Sequence, residues 1–164
     1  MYEKSLLIKK SSVDLMREIF SSCDEAKSYC FLLCKSYFDM SRQKIIVPQR
    51  TILSRGDYFL RRSITHKMAD EFSRNAYFTF QQSFESNFMI ICHGLAGEFS
   101  SLDDISDRNE AIWFKQSFKP RVIGSCDNKN VDSILFMIHD GSRVQLREFQ
   151  HTSNDFKSIA VMVI

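Results

Sequence analysis

Residues 13–38, VDLMREIFSSCDEAKSYCFLLCKSYF, are the stretch on which the reading of the fold turns. Val13, Met16, Phe20, Cys23, Ala26, Cys30, Leu33, Cys34 and Tyr37 recur mostly at steps of three and four, the spacing that puts side chains on one helical face. Ser22 followed by Glu25 is a capping-box pair, so the stretch reads as one helix or as two meeting near Ser21.

Downstream, residues 64–84 repeat the pattern, with Met68, Phe72, Ala76 and Phe80 at four-residue steps and a break near Asn75. Phe84, Phe88, Ile91 and Cys92 suggest a further packed helix ending at Gly94 or Gly97, since glycine readily takes the left-handed position after a helix. Residues 99–102 read as a short strand. Asp107 and Glu110 then form an N-cap pair for a helix carrying Ala111, Ile112, Phe114 and Phe118, which Pro120 closes. Earlier, residues 1–12 read as a short strand at 6–8 or a frayed end, and a strand is expected at 44–47, with 51–53 either the next strand or a continuation past a bulge.

From Arg121 the period changes to two. Residues 121–125 are a candidate strand, and residues 133–139 and 143–149 flank Asp140-Gly141, a strong hairpin signal. In the second arm Val144, Leu146 and Glu148 share one side, against Arg143, Gln145 and Arg147. Residues 159–164 are nearly all apolar, as in a strand paired on both sides. Helices thus precede an antiparallel sheet. The expected class is α+β, with N-terminal helices packed on a mixed or largely antiparallel C-terminal sheet, in one domain over residues 1–164.

Composition narrows the function. A chain of 164 residues with 44% hydrophobic and 26% charged residues is long enough for a real core. Its net charge of +2 argues against a dedicated nucleic-acid binder. Five cysteines with no C-x-x-C pair read as reduced, buried thiols rather than a zinc site or disulfides. No apolar run fits a signal peptide or a membrane span, so a cytoplasmic protein without a membrane partner is expected. Fifteen phenylalanines suggest a core or an interface built on rings, and exposed rings anchor protein partners.

Several groups carry possible chemistry. Arg50, Arg55, Arg61, Arg62, His66 and Lys67 form the most basic stretch, a solvated face or a pocket for phosphate, which the forked guanidinium suits. His93 reads as a histidine stabilised at a helix end or as a pocket group. Asp103, Asp104 and Asp107 crowd one loop, as helix caps, as ligand contacts or as oxygens for a divalent ion; capping is the simpler reading and no metal site is expected. Glu148 is either a site carboxylate or a charge guarding a sheet edge.

Arg55-Gly56 followed by Tyr58, Leu60 and Ser63, then His93-Gly94, then Leu102-Asp103 ahead of Ala111-Ile112-Trp113-Phe114, resembles the FRG-domain family over roughly residues 50–140. A one-residue gap would instead align Asp104, Ile105 and Ser106 with that family's Asp-Trp-Thr. Arg55, Ser106 with Ala111 and Phe114, and Glu148 also occur in the order found in ADP-ribosyltransferases of the arginine-serine-glutamate type. That resemblance implies a nucleotide-like ligand and NAD as the ADP-ribose donor. Arg55 would hold the phosphates and Glu148 would stabilise the oxocarbenium-like transition state. His93, Asp103, Asp104 and Ser106 would line the pocket. The alternative is a non-catalytic domain with a protein partner, such as an immunity protein or a host-directed effector.

Overall fold

The structure, a computed structural model, describes residues 3–22, 29–54, 78–83, 86–94, 99, 101–117, 135–139 and 143–164. Its elements in chain order are β1 (Lys4–Ile8), α1 (Lys10–Ser22), β2 (Tyr29–Phe38), β3 (Lys44–Ser54), β4 (Phe88–Gly94), α2 (Ser101–Ser117), β5 (Leu135–His139), β6 (Val144–Gln150) and β7 (Asp155–Val163). A helical stretch at residues 78–82 adds to these. The strands close into a barrel in the order β1-β3-β2-β4-β5-β6-β7. β1 runs parallel to both β3 and β7, and β4 runs parallel to β5; the other pairs are antiparallel.

The α+β expectation, with N-terminal helices packed on a C-terminal sheet, is therefore corrected: strands begin at Lys4 and the sheet closes on itself. The helix expected over residues 13–38 stops at Ser22, and residues 29–38 form β2. The helix expected around Phe88 to Cys92 is β4. Both errors have one physical cause. On β2, Cys30, Leu32 and Cys34 face the barrel interior, while Phe31 and Leu33 face outward into a second apolar cluster. On β4, Phe88, Ile90 and Cys92 point inward, and Met89 and Ile91 outward. A strand covered on both faces loses its apolar/polar alternation and reads as a continuous apolar run.

The core thus has two layers. The interior is filled by Leu6, Ile8, Ile46, Leu135, Met137, Leu146 and Ile159 together with the inward residues of β2 and β4. Val13 and Met16 of α1 join it and cap the end at which β1 finishes. Outside, Phe80, Ala111, Phe114, Phe136 and Phe149 form the second layer, with α2 lying over the sheet. Ala111 is fully buried there, as a small contact that allows close approach.

Other expectations hold locally. β3 is continuous across residues 44–54, with Leu33 opposite Arg50 and Cys34 opposite Pro48, so Gln49 is the extra residue of a bulge. β5 and β6 pair as the two arms of the hairpin. β7 is paired on both sides, by β6 and β1. Helix α2 starts at Ser101, so residues 101 and 102 are not strand and Asp107 lies within the helix rather than capping it. The expectations for residues 55–77 and 121–134 and for the Asp140-Gly141 turn lie outside the described residues.

Candidate functional site

The period-two reading of β6 sorts its charged residues. Arg147 leaves the barrel toward α2, and Glu148 enters the barrel. Arg147 Nη1 lies 2.5 Å from Asp104 Oδ1, and Nη2 lies 2.9 Å from Asp107 Oδ2. The guanidinium carbon is 3.8 Å from the ring centroids of both Phe99 and Phe156, a cation held between two aromatic faces. Asp103, Asp107 and Glu110 are buried on the same helix. This is a closed clamp fastening α2 to β6, and it assigns Asp104 and Asp107 a structural task that no helix-capping pattern foretold.

Glu148 belongs elsewhere, at the barrel end opposite α1. Its carboxylate is nearly buried and receives Lys4 Nζ at 2.5 Å. Lys44 is the direct partner of Lys4 across the parallel β1–β3 pair, and Lys157 is the direct partner of Glu148 across β6–β7. Directly opposed side chains on one face are close neighbours, so the mouth gathers three ammonium groups with the carboxylates of Glu148 and Glu3. The ammonium groups of Lys4 and Lys44 sit 5.9 and 5.3 Å from the Phe88 ring centroid, which floors the mouth. Burial, then the charge of Lys4, lowers the Lys44 pKa below the ordinary lysine value, and Glu148 partly offsets this. A cavity of about 210 Å³ opens here, lined by Glu3, Lys4, Glu148 and residues 157–160 of β7.

Among the described residues, Asp103, Asp104 and Ser106 do not share a face of the sheet with Glu148. Asp103 and Asp104, with half-buried Ser106, belong to α2 outside the barrel, across β6 from Glu148. His93 is the last residue but one of β4, and its backbone pairs with Tyr29 and Ile138 at the end capped by α1. Glu148 pairs with Leu135, which pairs with Ile90, so His93 lies three residues further along. That is about 10 Å at strand rise. Arg55 lies outside the described residues; Ser54 before it ends β3 at the α1 end, opposite Tyr29. Closure also removes the sheet edge that Glu148 was expected to guard.

The lysines of the mouth were missed, although a signal for them exists. Lys4-x-Leu6-x-Ile8, Lys44-x-Ile46 and Lys157-x-Ile159-x-Val161 each place a lysine two residues before the first inward apolar side chain of a strand. Val144-x-Leu146-x-Glu148 ends a strand in the same way. The inward rows therefore converge on charge at one rim.

Among the described residues no group of three or more His, Cys, Asp or Glu could hold a metal ion. No helix among them is long and apolar enough to cross a membrane. Cys30, Cys34 and Cys92 are buried free thiols, and burial raises the pKa of Cys34 and Cys92.

No family model matches the chain, and no curated protein matches it. Among solved structures, the solution structure of protein DSY2949 from Desulfitobacterium hafniense is similar, with a TM-score of 0.50 and 9% identity, covering 97% of this chain and 92% of that one. A likeness at that identity concerns the fold alone.

Proposed function

We propose that the chain is a small-ligand-binding domain whose barrel mouth takes the phosphate of a nucleotide-like molecule. The carrying observation is the direct cross-strand pairing of Lys4 with Lys44, beside a Lys157–Glu148 pair, at the lip of a cavity. Like charges directly opposite each other destabilise a sheet. Here the carboxylates of Glu148 and Glu3 stand against the ammonium groups of Lys4, Lys44 and Lys157, and a bound anion offsets the one positive charge left over. A cavity of about 210 Å³ is below the range of about 300–1,000 Å³ usual for drug-sized ligands, so it encloses the charged end of a larger molecule.

Binding is the reading, with ADP-ribosyl transfer from NAD as its more demanding form. Glu148 is the carboxylate such a transfer would use, and it lies 2.5 Å from an ammonium that tempers its charge. Titration calorimetry with inorganic phosphate, AMP, ADP-ribose and NAD tests the proposal, alongside an assay for labelled ADP-ribose on protein. Phosphate and the nucleotides are expected to bind, and Lys44→Met and Lys157→Met to weaken all of them together. Absence of heat for every ligand at millimolar concentration, in a protein shown to be folded, would overturn it.

A protein partner is the second reading, and one observation favours it. The end of β2 and the turn after it carry Tyr37, Phe38 and Met40 with 46%, 60% and 104% of their surface exposed. Photo-crosslinking from position 40 to one defined protein, with no phosphate binding, would favour that reading.

A further inference from the structure

Resting on the phosphate-site reading, we infer that the ligand is a nucleoside monophosphate held at two points: its phosphate by the mouth lysines and its base on the exposed ring of Phe38. The cavity cannot enclose a base as well as a phosphate, so any base must lie on the rim. Phe38 is the ring placed to receive it. Its position on β2 has the same parity as Cys30, Leu32 and Cys34, which point into the barrel, and it pairs directly with Lys44. Lys44 Nζ lies 5.4 Å from the Phe38 centroid and 5.3 Å from that of Phe88. Lys44, the cross-strand partner of the cavity-lining Lys4, therefore sits over the ring.

Neighbouring aromatics do not compete for this role. Phe88 is buried as the floor of the mouth. Tyr37 has the opposite parity, and Lys35 sits over it at 5.4 Å from the centroid on that outer side. The turn that follows Phe38 is built rather than loose. Asp39 Oδ1 accepts from the Ser41 and Gln43 backbone N–H groups and from the Ser41 hydroxyl, and Arg42 takes a left-handed φ of 64°. A ring left 60% exposed beside Lys44, the strand neighbour of the cavity-lining Lys4, supplies the stacking surface that bases use on aromatic side chains without sequence preference.

The experiment separates phosphate binding from base binding. Inorganic phosphate, ribose 5-phosphate and AMP are titrated into the full chain, its Phe38→Ala variant and its Phe38→Leu variant, each checked for an unchanged thermal midpoint. AMP is expected to bind at least about tenfold more tightly than ribose 5-phosphate, the scale of one base–aromatic stack. Both substitutions should erase that difference, leaving inorganic phosphate within about twofold, which is a change below 0.5 kcal/mol. If AMP and ribose 5-phosphate bind alike, or the variants keep the difference, the base inference is overturned while the phosphate site stands. If none of the three binds, both fall.

Discussion

Replacing Arg147 by methionine tests what holds α2 against the barrel. The substitution keeps an unbranched apolar stem but removes two charge-assisted hydrogen bonds and the cation between Phe99 and Phe156. The two bonds differ in weight. Asp104 has 44% of its side chain exposed, so solvent screens that pair to about 1 kcal/mol or less. Asp107 is 1% exposed, and breaking a buried pair by removing one partner costs about 3–5 kcal/mol. For a domain of this length the expected loss corresponds to a midpoint lower by on the order of 6–20 °C. Urea unfolding followed by far-ultraviolet circular dichroism measures it directly. Adding Asp107→Asn should recover much of the loss, because the buried charge then goes too. Lysine at position 147 should not rescue, since it lacks the planar fork that reaches two carboxylates. Arg147→Met within 1 kcal/mol of wild type would refute the clamp.

Removing the mouth carboxylate with Glu148→Gln should tighten phosphate binding about fivefold, the scale of one charge interaction of ~1 kcal/mol near solvent; a weaker complex would mean Glu148 contacts the ligand productively. Phosphate affinity should fall as pH rises from 7.5 toward the lysine value of 10.5, and it should fall early. A bound dianion favours protonated Lys44, whose pKa is lowered in the folded chain, so binding takes up a proton and weakens once that group discharges. A flat calorimetric affinity over that interval would count against Lys44. The buried thiols Cys30, Cys34 and Cys92 should resist a thiol reagent in native buffer and react only on unfolding, because burial disfavours the thiolate; peptide mass spectrometry reads this site by site.

The sequence was most legible where charged residues mark the pleat. Val144, Leu146 and Glu148 alternate against Gln145 and Arg147, and the structure keeps that division. It was least legible where both faces are dry. Phe31 and Leu33 lie beneath the outer layer while Cys30, Leu32 and Cys34 fill the barrel, so no polar residue marks the pleat. Chance steps of three and four then imitate a helix. The acidic turn misled for a related reason: Asp107 resembles a cap in sequence, and only the pairing of β6 with its neighbours reveals Arg147 as its partner. Lys4, Lys44, Glu148 and Lys157 are far apart along the chain, and it is barrel closure that joins them.

Nitrogen-detected magnetic resonance of the lysine ammonium groups, titrated with inorganic phosphate at constant ionic strength, tests that convergence most directly. Lys4, Lys44 and Lys157 should shift together and saturate with one dissociation constant, while Lys9, Lys10 and Lys115 move little. Small, unsaturated shifts spread evenly over every lysine would contradict a built anion site at the barrel mouth.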